Sequence, residues 1–284
     1  MSTVAAAART TEELGPAPLN EPHRRWTRFI LPTYTIAMIL YLASPIFVMI
    51  LYSFNDVPFD RQNAHFWGFT VDWWKNFLGF PGLGDAFKNS LKIAPVAAAI
   101  ATALGALFGL ALGRYRFRGL SLVDFVIFLA IAVPEIVLGA SLLSAFILAG
   151  VPLGFTTIIL SHIGFSIAFV AVTVRARVQG LDRNLEDAAQ DLFANPVATF
   201  FKVTLPLIAP ALLAGFLLAF VLSLDDFVIT NFVAGPRTTF PLWVFGAQRI
   251  GVPPTVNVMG TILFTAGVMA AAVSVLAQTR RSTS

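Results

Sequence analysis

The sequence predicts an all-α, polytopic integral membrane protein with six transmembrane helices. Three observations lead there. Of the 284 residues, 57 % are hydrophobic and only 12 % charged, with a mean hydropathy of +0.79, a balance outside that of soluble domains. The apolar residues gather in long runs, enough to cross a hydrocarbon layer of roughly 30 Å. Lys and Arg flank those runs instead of clustering on one soluble face, which argues against a nucleic-acid partner. Cysteine is absent, so disulfides and thiolate metal sites are excluded. His23, His65 and His162 have no ligand spacing, and His162, inside an apolar run, reads as a packed or hydrogen-bonded helix residue.

Residues 1–22, rich in Ala, Thr, Pro and Glu, have no apolar period and read as a disordered tail with no cleaved signal peptide. His23, Arg24, Arg25 and Arg28 lead into a first span over residues 29–54. Residues 55–87 form a loop with Trp67, Trp73, Trp74 and four aspartates. Its WGFTVDWWKNFL stretch suits either a helix anchored at the headgroup level or a lid over a pore mouth. The second span, 89–112, carries Gly105 and Gly109 as a small-xxx-small pair for close helix packing. Arg114, Arg116 and Arg118 follow. The third span, 122–148, is interrupted by Pro134-Glu135, and a turn at 150–154 leads to the fourth, 155–174. After a polar insert come the fifth span, 207–233, a Gly/Pro-rich loop and the sixth, 255–277, ending at Arg280-Arg281.

Six spans place both termini on one side. The tail, the 113–119 loop, the insert and the C-terminus hold thirteen of the nineteen Lys and Arg. The positive-inside rule therefore makes that side, with both termini, cytoplasmic.

The insert, residues 175–206, is the most patterned polar stretch. Leu185, Ala188, Ala189 and Leu192 recur at helical spacing, opposite Glu186, Asp187, Gln190 and Asp191. Asn184 suits a cap, with Asp187 three residues on. Asn195-Pro196 reads as a break before a second short helix. The expectation is a pair of surface helices presented to a partner.

Glu135, Asp225 and Asp226 lie within apolar runs. A charge at such depth costs roughly 2.5–3.5 kcal/mol even on lenient scales, so these acids either line a cation pathway or pair and cap within the bundle. Motifs for bond-breaking chemistry are missing: there is no Gly-rich phosphate loop with its lysine, no HExxH and no nucleophile elbow. The chain is read as having no catalytic residues, metal site or cofactor of its own.

LEDAAQDLFANPVATFFKVTLPLIAP resembles the EAA loop of the membrane subunits of binding-protein-dependent ABC importers. Glu186, Asp187, Ala188 and Ala189 match the motif's start; Leu205-Pro206 and Pro210 match its end. RYRFRG, PEIVLG, HIGFSIAFVAVTVRARVQGLD and above all LSLDDFVITNFVAGP carry a closer likeness to the spermidine/putrescine permease branch. The family's loop glycine corresponds here to Phe193. That residue either forces an ordinary backbone conformation or inserts its ring into the partner, and the intact remainder of the loop favours insertion.

The resemblance implies a type I importer permease fold in a bacterial inner membrane. It further implies a homologous second permease, two cytoplasmic ATPase subunits that carry the ATP and Mg, and a periplasmic solute-binding protein. Asn184, Glu186, Asp187, Ala188, Ala189, Asp191, Phe193 and Pro206 would couple to the ATPase, and Glu135, Asp225 and Asp226 would line the route of a spermidine- or putrescine-like cation. The alternatives are a permease for another small solute, an ATP-independent channel or carrier, and a membrane assembly factor.

Overall fold

A computed structural model describes residues 24–58, 63, 65–182, 184–250 and 253–282. The expected tail at 1–22 lies outside them. Among the described residues the chain is all helix apart from one antiparallel bridge, Asn55 to Phe69. It divides into two compact units, one of residues 1–52 and 260–284, the other of 53–259.

In the first unit, helix α1 (Arg24–Tyr52) contains Pro32 and Pro45. Its apolar side chains face outward: Phe29 is 72 % exposed and Leu31 70 %. Over Phe29–Tyr52 the helix is apolar with none of that span buried, as suits a lipid surrounding. Gly260 sits against α1, where an added Cβ would lie 2.6 Å from Met49 Sδ.

The second unit is built on three long helices: α3 (Leu83–Arg114), α6 (Phe155–Gln179) and α9 (Leu205–Asp225), numbered after the short α2 (Asp72–Lys75). Gly105, Gly109 and Gly113 recur every four residues along one face of α3. They meet Val170, Val174 and Val178, which recur at the same interval on α6. The expected Gly105–Gly109 seam is therefore real and continues one step further, to Gly113. Ala98, Ala101, Ile208 and Ala219 complete this core. Packing of this kind substitutes close backbone approach for the hydrophobic drive that lipid cannot supply.

The third apolar run is two helices, α4 (Leu120–Ala132) and α5 (Glu135–Leu148), bent by 103°. Pro134 has no N–H to give and pushes Val133 into extended conformation at φ −63°, ψ 129°. The fifth run ends at Asp225. A separate helix, α10 (Val228–Val233), follows, then α11 (Phe240–Ile250) and α12 (Pro254–Ser282).

The expectation of six spans is corrected by these breaks. Among the described residues four helices are long and apolar enough to cross a membrane: Phe29–Tyr52, Leu83–Arg114, Phe155–Gln179 and Pro196–Asp225. The count reaches five if the bent pair is one span. The last helix contributes only Pro254–Met269 as a described apolar stretch, shorter than a span. The all-α, multi-span membrane architecture stands.

The aromatic-rich loop is organised by Asn55, which is fully buried. Its Nδ2 donates to His65 O and Asn63 Oδ1, both at 2.6 Å, and its Oδ1 accepts from Trp67 N at 2.7 Å. Trp73 Nε1 donates to its carbonyl at 3.0 Å. Within WGFTVDWWKNFL only Asp72–Lys75 is helical.

Candidate functional site

The polar insert folds as α7 (Asn184–Asp191) followed by α8 (Pro196–Thr199). Asn184 is the first helical residue, and its N–H donates to Asp182 Oδ1 at 3.0 Å, so the oxygen at this end comes from Asp182. Asn195 caps α8, its Oδ1 accepting from Ala198 N at 2.7 Å with Pro196 in the first turn. The second helix is not free-standing. A π turn, Phe200–Thr204, joins α8 to α9, so residues 196–225 form one continuous rod. Pro206 explains the turn. Its ring would crowd the carbonyl four residues back, at Lys202, and the widened turn over that residue relieves the crowding.

Glu186 turns inward. Its Oε1 accepts from both the Arg114 guanidinium at the end of α3 and the Thr204 hydroxyl in the π turn. These three, with Tyr115, Asp187, Gln190 and Phe200, line a cleft of about 580 Å³. Asn184, Asp187, Ala188, Asp191 and Pro206 are exposed, and Ala189 is half-buried. α7 is therefore tied to two membrane helices through one carboxylate while Asp187 and Asp191 stay exposed.

Phe193 takes the left-handed conformation that glycine favours. Its φ is +64°, and no other described residue except glycine has a positive φ. Phe193 N donates to Gln190 O at 2.8 Å and Ala194 N to Ala189 O at 3.0 Å, the paired bonds of a Schellman turn. A side chain in the left-handed region costs about 1 kcal/mol. The first alternative, an ordinary backbone conformation, is overturned. The ring is 98 % exposed.

Of the three acids expected along a pathway, Glu135 is the exposed first residue of α5, where a carboxylate suits the helix N-terminus. Asp225 is exposed at the end of α9. Asp226 is packed away, its side chain 5 % exposed. Its Oδ2 accepts from Thr230 N at 2.7 Å and Thr230 Oγ1 at 2.6 Å and lies 3.2 Å from His162 Nε2, while Oδ1 accepts from Ile229 N at 3.3 Å. His162 Nδ1 lies 2.6 Å from Ser223 Oγ. Asp226 thus caps α10 across the break after α9 and binds it to α6. Ser223 is only 6 % exposed, so the group is a packed polar plug rather than a nucleophile facing substrate.

Asp226→Ala should lower thermal stability in detergent by about 3 kcal/mol, because two N–H groups and the Thr230 hydroxyl lose their acceptor together and His162 Nε2 keeps only Thr230 Oγ1, at 2.9 Å. Asp225→Ala should leave stability unchanged; equal effects would remove the distinction drawn between the neighbours.

Sequence reading missed one acid in an apolar run. Asp124, on α4, pairs bidentately with Arg175 of α6. Arg114 and Thr204 also went unassigned. Each partner lies far away along the chain, so only Asp124's place in an apolar stretch offered a hint.

A second cleft, of about 540 Å³, is lined by Asp56, Asp72, Trp73, Asn76 and Phe80 among others. Lys75 donates to Asp72 at 2.6 Å and holds its carboxyl below the usual carboxylate range. Among the described residues, His, Asp and Glu nowhere gather as a potential metal site.

Residues 105–280 match the profile of the family described as binding-protein-dependent transport system inner membrane component. The chain belongs to this family. It is 40 % identical over 231 residues to the spermidine/putrescine transport system permease protein PotC of Escherichia coli (strain K12), covering 81 % of this chain and 86 % of that one. Against the putrescine transport system permease protein PotI of the same strain it is 39 % identical, covering 78 % and 81 %. Among solved structures, a bacterial ABC transporter involved in the import of the acidic polysaccharide alginate superposes with a TM-score of 0.64. That match has 17 % identity and covers 92 % of this chain and 99 % of the other. The MetNI methionine ABC transporter gives 0.56 at 16 % identity, covering 68 % and 94 %. At these identities the structures speak for the fold alone. As a family member the chain is a transport permease subunit of the inner membrane, not a catalytic enzyme.

Proposed function

We propose that this chain passes a small cationic solute of the polyamine class across the inner membrane in an ATP-driven importer. A cytoplasmic ATPase would act on α7 and its C-terminal turn. The observation that carries this reading is the double tie of Glu186 to Arg114 and Thr204. A push on α7 is delivered at once to α3 and to the rod that continues as α9. The π turn adds a place where that rod can change its winding, so the insert is a lever with two outputs and not a tether.

On this reading residues 175–206 and both termini are cytoplasmic. A homologous second permease completes the pathway, two ATPase subunits bind ATP and Mg, and a periplasmic binding protein docks on the loops at 55–87 and 234–254. Coupling falls to the exposed Asp187, Ala188, Asp191 and Phe193, with Asn184, Ala189 and Pro206 shaping their frame. Glu135 and Asp225, exposed at helix ends beside the two breaks, are offered as cation contacts. Asp226 serves by holding the second break in shape. Spermidine and putrescine, for which the similar PotC and PotI permeases are named, agree with an acid-lined route.

The test is reconstitution of the complex that co-purifies with this chain from native membranes, in proteoliposomes with its binding protein. Uptake of labelled spermidine or putrescine should require internal ATP, and Asp225→Asn should reduce it several-fold. ATP-independent uptake would replace the importer by a carrier. ATP-driven uptake of a different solute would keep the importer and remove the polyamine assignment.

A further inference from the structure

The turn that closes α7 has a residue its backbone does not ask for. The Schellman bonds come from main-chain groups of Phe193 and Ala194 and would form equally with glycine at the left-handed position. The phenyl ring adds nothing to the turn. Nor does it add to a core, being 98 % exposed beside Leu192 at 82 %. The chain thus holds two adjacent large apolar side chains exposed, one of them in a disfavoured conformation. Strain that the fold does not use points to an interaction made elsewhere.

We infer that Phe193, with Leu192 beside it, seats in an apolar socket with a basic rim on the ATP-hydrolysing partner, and that this anchor selects which ATPase the permease accepts. The inference rests on the coupling reading above and adds to it the chemistry of the partner surface. Charge complementarity decides the occupant. The patch is flanked by the exposed carboxylates Asp187 and Asp191, while Glu186 is neutralised internally by Arg114. An acidic flank opposes the anionic surface of a cytoplasmic leaflet but suits a protein pocket edged by Lys or Arg. A glycine at this position could offer a partner only its main chain. A buried phenylalanine contributes roughly 150–250 Å² of apolar contact at the centre of an interface. A socket made for the ring would be left empty by glycine, and a surface made for glycine would clash with the ring. That is a basis for exclusive pairing.

The experiment uses the full permease complex in nanodiscs, titrated with its purified ATPase subunit. A photo-crosslinking phenylalanine analogue stands at position 193 in a parallel sample. Phe193→Ala keeps the left-handed strain and removes the ring; Phe193→Gly removes both. Each should weaken ATPase binding by roughly 30-fold, with thermal stability unchanged or raised for the glycine variant. The crosslink should fall on the ATPase. An ATPase taken from an importer whose permease has glycine here should bind Phe193→Gly more tightly than wild type. Unchanged affinity in both variants, or a crosslink to lipid or to a second copy of this chain, overturns the anchor. The double variant Asp187→Lys, Asp191→Lys separates the two readings. If it abolishes ATPase binding while the Phe193 variants do not, only the anchor falls. If all bind as wild type, the coupling reading falls with it.

Discussion

Arg114→Glu is expected to abolish ATP-driven uptake while leaving the ATPase subunit bound. Adding Glu186→Arg to the same chain should restore much of the loss. Arg114 and Glu186 are 14 % and 22 % exposed, so their pairing is only partly screened by solvent. A charge-assisted hydrogen bond of this kind contributes about 2 kcal/mol, a factor of about 30 in the fraction of molecules with α7 docked against α3. Reversing one charge also sets two carboxylates against each other, so the effect exceeds simple deletion. The variant separates holding from transmitting, because the proposed ATPase contacts Asp187, Asp191 and Phe193 are exposed side chains, whereas Glu186 is engaged by Arg114 and Thr204. ATPase retention, measured by co-purification, should therefore persist while transport per ATP hydrolysed collapses. Equal loss of both would mean that Glu186 faces the partner. Normal uptake would show that α7 transmits its motion by another route. Thr204→Val should give a milder version, since it removes one of two donors to the same carboxylate oxygen.

Gly109→Leu should have the largest effect on stability, about 3 kcal/mol, and prevent assembly at physiological temperature. A Cβ there would lie 2.7 Å from Ala171 O, 2.8 Å from Val174 Cβ and 3.0 Å from Arg175 N. Two of those three atoms are backbone of α6 and have no rotamer to move, so the helices must part. Parting costs every contact along the α3–α6 seam, whose association in lipid rests on close packing. Gly164→Ala is the control. It lies on the same α6, nothing approaches its Cβ position within 4 Å, and alanine should be neutral or stabilising by up to about 1 kcal/mol. Thermal unfolding in detergent checks both. Similar midpoints for the two variants would show that the seam tolerates widening.

Composition and pattern alone determined the membrane class, the positions of the apolar runs and the helical insert with its break at Asn195-Pro196, while the resemblance to the importer family drew attention to Phe193. These are local properties: apolar length, side-chain period, and the missing N–H of proline act within a few residues of themselves. The number of spans was misjudged because apolar length does not show direction. The run from 122 to 148 is apolar throughout, yet two extended residues at Val133-Pro134 turn it through 103°.

Which carboxylate does what was decided only by tertiary structure. Asp225 and Asp226 are neighbours with the same chemistry, but one is exposed at the end of α9 and the other is enclosed by His162, Thr230 and Ile229. Glu186 stands in the middle of an acidic motif, yet its charge is answered by Arg114, 72 residues away. Asp124 and Arg175, 51 residues apart, show the same thing. A buried charge is stable only where an opposite charge or a set of donors meets it, and those partners are brought together by helix packing across long stretches of chain. Helix type and polarity are therefore written in neighbouring residues, whereas the role of an ionised side chain is written in whichever helices the glycine seam on α3 allows to come close.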